Sequence, residues 1–131
     1  MPSVLIEVRR QYSTAEETAI MEAVLKALRD AFKILPDDRT VRLIVHEPHR
    51  FACSPALKSP EFFTHVSIDA IAGRSLEAKR KLYEAVVDNL AILGIPKDHV
   101  KVLLREISLE NWGLRGGRAG SDIDLGFKID V

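Results

Sequence analysis

Pro2 follows Met1 directly, and it is the residue of this chain with the clearest route to chemistry. Methionine aminopeptidases remove Met1 when the next residue is small or is proline, which would leave a secondary amine at the start of the chain. Peptide α-amino groups titrate near roughly 7.7–8.0, so part of the population is neutral at cell pH. An apolar pocket disfavours the charged form and lowers that value further. Such an amine would be a general base poised near the pH at which it works. A proline at position 2 is also a common and chemically silent feature, so the rest of the chain has to supply its partners. No metal-ligand spacing links His46, His49, His65 and His99, and no nucleophile–base set or paired carboxylates stand out.

The elements that would position such a base come as an internal repeat. Met21-Glu22-Ala23-Val24 aligns with Tyr83-Glu84-Ala85-Val86 at a shift of 62 positions, and the same shift sets Ser13 on Ser75 and Pro2 on Thr64. After a two-residue deletion, Leu35-Pro36-Asp37-Asp38 matches Ile95-Pro96-Lys97-Asp98. Each copy (2–47 and 64–106) reads strand, helix, strand, and a C-terminal arm covers 107–131. In the first copy Ser3–Val8 is β-rich, Ser13 and Thr14 precede Glu16 and Glu17 as capping-box signals, and Met21, Val24, Leu25, Leu28 and Phe32 recur at helical spacing. Val41–Glu47 reads as the second strand. In the second copy Thr64–Ala72 is the strand and Gly73-Arg74 the turn. Ser75 then opens a helix with a stripe of Leu82, Tyr83, Val86, Val87, Leu90 and Leu93, Gly94 caps it, and His99–Glu106 is the last strand.

Strand–helix–strand units of this length pair their strands in parallel with a right-handed crossover. The expected fold is therefore one α+β domain over 1–131: two tandem β-α-β units, a four-stranded mixed sheet, both helices on one face, and a C-terminal short strand or hairpin. Leu5, Leu43, Val45, Ile71 and Leu103 are expected on the other face, which would be covered by further subunits. The tail, Ser121 to Val131, alternates apolar residues and is the expected site of the extra strand or hairpin, a segment of the kind that often serves as an arm reaching a neighbour. The connection from Pro48 to Pro60 exceeds the usual ~4–6-residue loop, and its sequence does not choose between a functional rim and a linker.

The bulk properties exclude several classes. Lys plus Arg equals Asp plus Glu at 19 each, which gives no electrostatic case for nucleic acid or an anionic membrane. No apolar run approaches the ~20 residues of a membrane span. Charge returns early at Glu7, Arg9 and Arg10, unlike a signal peptide, and the single cysteine, Cys53, fits a reducing compartment, so a cytoplasmic location is expected.

The repeat, Pro2, the stretch Ala72-Gly73-Arg74-Ser75 and the closing Asn111-Trp112-Gly113-Leu114-Arg115-Gly116 together resemble the tautomerase superfamily over essentially the whole chain. Within it, the length and closing segment are most similar to the malonate semialdehyde decarboxylase group and its uncharacterised relatives. The resemblance implies an amino-terminal proline as catalytic base, no cofactor or metal, and a homotrimer. Arg74 follows a strand and precedes a helix, at the edge where open α/β sheets bind ligands, and a guanidinium there can clamp a carboxylate with two hydrogen bonds. If the two units pack antiparallel, Pro2 and Arg74 share that edge. The resemblance also implies a water-directing role for Asp38, a residue that equally suits the turn after a helix. It brings the stretch with Trp112, Arg115 and Arg118 toward the pocket, with Trp112 either lining it or packing between subunits.

Ala72 departs from the decarboxylase pattern, where a second arginine stands. The expected function is thus a keto–enol tautomerase acting on a small 2-oxo acid or its enol, phenylenolpyruvate-like, with Pro2 and Arg74 as catalytic residues and Arg74, Trp112, Asp38 and Arg115 binding substrate. The alternatives are a malonate semialdehyde-type decarboxylase or hydratase, and a non-catalytic oligomeric ligand-binding protein.

Overall fold

The structure is a computed structural model that describes residues 2–131. Met1, whose removal is expected above, lies outside the described residues. Its elements follow the repeat: β1 (Ser3–Val8), α1 (Thr14–Phe32), β2 (Val41–Val45), β3 (Thr64–Ile71), α2 (Leu76–Ile92) and β4 (Val100–Ile107), then the short strands β5 (Gly113–Leu114) and β6 (Arg118–Ala119). The sheet runs β2-β1-β3-β4, with β1 parallel to β2, β3 parallel to β4, and the two units joined antiparallel through β1 and β3.

Both helices start as their sequences direct. Ser13 accepts the Glu16 N–H and the Glu16 carboxylate accepts the Ser13 N–H, a complete capping box, while Ser75 accepts the Ala78 N–H. Lys33, in the left-handed region at φ 55°, ends α1 by donating its N–H to the Arg29 carbonyl. Past α2, Gly94 adopts φ 91°, and Ile95 donates its N–H back to the Leu90 carbonyl, so the chain turns under the helix end.

The core lies between the helices and one face of the sheet. Val4, Ile6 and Val8 of β1 meet Ile68, Val66 and Thr64 of β3 in register, and all six are buried. Val24, Leu28 and Phe32 of α1 and Leu82, Val86 and Leu90 of α2 close over them, each fully enclosed. Every such side chain contributes about 1.5–3 kcal/mol relative to exposure.

Several expectations are corrected here. Leu43 and Val45 pair with Ile6 and Val8 and pack toward the helices, leaving Arg42 and Ile44 on the open face. Leu93 is 42% exposed, and Ile95 enters the core in its place. β2 stops at Val45, and His99 belongs to a 3-10 turn, Lys97–His99, ahead of β4. The hairpin forms at 113–119, upstream of the tail, because Gly116 and Gly117 take the positive φ values its turn needs. The tail beyond it contains no strand and packs on its own chain, where the Val131 carbonyl accepts the Ser75 N–H at 2.9 Å. The open sheet face is mixed: Leu5, Ile44 and Leu103 alternate with the pairs Glu7–His46 and Asp69–Arg105. Among the described residues no helix is long and apolar enough to cross a membrane.

Candidate active site

One edge of the sheet gathers the residues with chemical potential. Pro2 is buried immediately ahead of Ser3, and Ser3 pairs with Asp69 near the end of β3. Because β1 and β3 are antiparallel, the start of β1 and the exit of β3 meet there. Thr40 accepts the Val4 N–H at 3.1 Å, so the segment entering β2 reaches the same edge. A turn just upstream, closed by the Asp38 N–H donating to the Leu35 carbonyl at 3.0 Å, holds Asp38 there. Pro36 at its second position presets the backbone for that turn.

Arg74 reaches the edge through Gly73, whose φ of 134° lies outside the range of other residues. A Cβ on Gly73 would stand 2.8 Å from Ile129 Cγ2, so the close approach also requires glycine. The Arg74 side chain is 6% exposed and curls back, Nη1 donating to the Ile71 carbonyl at 2.9 Å. Its guanidinium lies over two rings, Phe32 at 4.7 Å and Phe127 at 5.7 Å. Nε is buried without a hydrogen-bond partner among the described residues. Burial pushes the guanidinium below the usual arginine range, while the charges of Glu106 and Asp38 pull it back up. Arginine stays protonated under such opposing pressures, so the edge holds a desolvated cation with donor capacity to spare.

Asp38 is 8% exposed and lines a small cavity of about 110 Å³ with Leu35, Asp37 and Arg115. Arg115 adopts φ 48° and donates from Nη1 to the Asp124 carbonyl at 2.6 Å. Asp38 and Arg115 are thus brought together, and Asp38 lies close enough to Arg74 to act on its charge. Trp112 stands outside that cavity; its indole N–H donates to the Ile107 carbonyl at 3.3 Å, tying the ring to the end of β4. Arg118 donates to the Asp122 carbonyl at 2.9 Å within the arm. A hollow of about 340 Å³ bordered by Phe51, Cys53, His65 and Lys101 belongs to the opposite end of the sheet.

Sequence reasoning missed Phe127, Glu106 and Lys79. Glu106 pairs in register with Ala70 near the exit of β4, takes the Lys79 ammonium, and accepts the Gly73 N–H at 3.4 Å. The Lys79 ammonium above all, helped by the Gly73 N–H and by Arg74, holds its carboxyl below the usual range. The signal for the pair was the end of a strand facing the first turn of the helix beside it. A depressed carboxyl stabilises the fold fully above its unfolded value, near roughly 4.3, and that contribution is lost as pH falls through the lower folded value. Glu106→Gln is therefore expected to be less stable than wild type at neutral pH, with the gap closing below about pH 4. Urea midpoints at two pH values check this; a gap independent of pH would remove Glu106 from the account.

Comparison with known families places the chain. A family model described as tautomerase enzyme matches residues 38–115, well over half of the chain. The chain belongs to the tautomerase family. The match spans Asp38, Arg74, Trp112 and Arg115. A probable tautomerase of Ralstonia nicotianae is 33% identical over 52 residues, covering 39% of this tautomerase-family chain and 74% of the relative. Among solved structures, a malonate semialdehyde decarboxylase inhibited by 3-bromopropiolate is 26% identical with a TM-score of 0.77, covering 88% of this chain and 91% of that one. A fused 4-OT crystallised as an asymmetric trimer has a TM-score of 0.81 at 16% identity, covering 92% and 97%, and that likeness concerns the fold alone.

Proposed function

We propose that this tautomerase-family enzyme interconverts the enol and keto forms of a small 2-oxo acid, phenylenolpyruvate-like, without a cofactor. The observation that carries the reading is the buried Pro2 at the edge where β3 delivers Arg74. With Met1 removed, the neutral Pro2 amine takes a proton from the enol hydroxyl or from the carbon beside the carbonyl. The protonated amine then returns it to the other atom. Arg74 holds the substrate carboxylate and steadies the charge that develops on the oxygens. The aromatic rings around the guanidinium suit an apolar substrate carrying one carboxylate.

A homotrimer is part of the proposal. Ile44 and Leu103 leave 44% and 46% of their surface exposed on the open sheet face, an apolar component that association would cover. The fused 4-OT neighbours are described as trimers.

Native mass spectrometry followed by an ultraviolet assay of enol ketonisation tests the reading. The expected result is a trimer of chains lacking Met1 that consumes the enol. Retained Met1 blocks the amine and defeats the mechanism; a processed trimer with no activity favours a ligand-binding role. Hydration or decarboxylation of a 3-oxo acid is the second reading. It is favoured by the buried Asp38 beside Arg115, where a carboxylate can direct water, and opposed by Ala72 in place of a second cation.

A further inference from the structure

The tail returns across the edge just described. Its Asp124 carbonyl is held by Arg115, Gly126 at φ 78° turns the chain beside Leu35, Phe127 faces the Arg74 guanidinium, and Ile129 fills the space above Gly73. The Val131 carbonyl then takes the Ser75 N–H. Arg74 and the Ser75 N–H are adjacent donors, and the tail covers both.

We propose that residues 124–131 form a gate over Arg74, so that an anionic ligand reaches the guanidinium only when Phe127 leaves it. The inference rests on the reading of Arg74 as the carboxylate holder. Buried polar groups in folded proteins are nearly always paired, yet the Arg74 Nε is walled in and unpartnered among the described residues, and the tail gives it a ring face instead of an acceptor. A carboxylate cannot dock two oxygens on a guanidinium that is 6% exposed with one nitrogen already committed to the Ile71 carbonyl. The cavity beside Asp38, about 110 Å³, is too small for an aryl oxo acid, whereas ligand pockets run to several hundred Å³. Asp124 and Leu125 anchor the start of the segment, the first through Arg115 and the second by burial; beyond them it is held by the Phe127 ring and Val131 against the edge of the core, by one main-chain hydrogen bond at Ser75, and by Ile129 over a glycine. A short segment hinged at such an anchor opens locally without global unfolding, and apparent affinity is then reduced in proportion to the fraction that is open.

The test is modification of the intact, full-length protein by phenylglyoxal, an arginine-directed dicarbonyl, read residue by residue by peptide mass spectrometry. Arg80, whose side chain is 61% exposed, is the internal reference. Arg74 in the wild type is expected to react at least about tenfold more slowly than Arg80. In Phe127→Ala its rate should rise about tenfold with Arg80 unchanged. Ile129→Ala keeps the ring but loosens its fastening, so it should move the same way and serves if the first variant fails to fold. Arg74 reacting as fast as Arg80 in the wild type, or equally slowly in a folded variant, overturns the gate. Labelling does not involve Pro2: gated labelling without ketonisation would sink the tautomerase reading alone, and ketonisation with ungated labelling would sink the gate alone.

Discussion

Replacing Pro2 by alanine is expected to lower kcat/KM for enol ketonisation by about 10²-fold or more, the usual scale for loss of a positioned general base. Alanine at this position is still exposed by removal of Met1, so the variant keeps an amine at the terminus. What it loses is the ring that fixes the nitrogen's direction at the entry to β1 and the secondary amine itself. The substitution leaves the sheet intact, since the Val4 N–H bonds to the Thr40 carbonyl and the register with β3 begins at Ser3, opposite Asp69. Folding should therefore be unchanged by circular dichroism while the rate falls, and the fall should be mainly in kcat, because a proton transferred in the transition state is not part of ground-state binding. An unchanged rate in a folded, Met1-free variant would dispose of the mechanism.

Arg74→Met is expected to have the second largest effect, and of a different kind. Hydrogen bonds to a charged partner contribute about 1.5–3 kcal/mol each, so loss of a bidentate clamp should raise KM for a 2-oxo acid by about 10²-fold. Methionine still fills the space beside Phe32 and Phe127, and its thioether packs well against rings. Removing the buried cation relieves its desolvation but leaves the Ile71 carbonyl without its donor, while Glu106 keeps Lys79. The two effects oppose each other, so the urea midpoint should stay near that of the wild type while activity falls. Arg74→Lys restores the charge but not the planar fork, and should recover only part of KM. A large loss of stability in Arg74→Met would recast Arg74 as a structural brace.

Much of the architecture was legible because local signals agreed. The serine caps at Ser13 and Ser75 and the 62-residue shift between the copies marked both helices, and the shift paired Pro2 with Thr64 before any register was known. The facing of β2 was not legible. Val41-Arg42-Leu43-Ile44-Val45 offers apolar residues to both faces, and only pairing with Ile6 and Val8 chooses between them. Leu93 failed for a related reason: α2 ends one residue earlier, and the turn at Gly94 carries Ile95 inward instead. Phe127 lay in a tail whose alternation reads as a strand, and nothing in that pattern brings it to Arg74, more than fifty residues away in sequence. Burial of Arg74 likewise follows from two rings contributed by distant parts of the chain.

The pairing of β1 with β3 maps onto itself under the repeat: Val4 with Ile68 becomes Val66 with Ile6. The chain thus has an approximate twofold axis and, with it, a mirror position for its chemistry at the far end of the sheet. Thr64, Tyr12 and Asp98 stand there in the places of Pro2, Arg74 and Asp38. Thr64 is as deeply enclosed as any core residue, but its nitrogen is locked in an amide with Phe63 and cannot accept a proton. Fusing two such units end to end therefore silences half of the equivalent positions by covalent connectivity alone. Released from reactivity, the mute end can accept inserted chain, and that is where the long connection between the two units, from Pro48 to Pro60, is found.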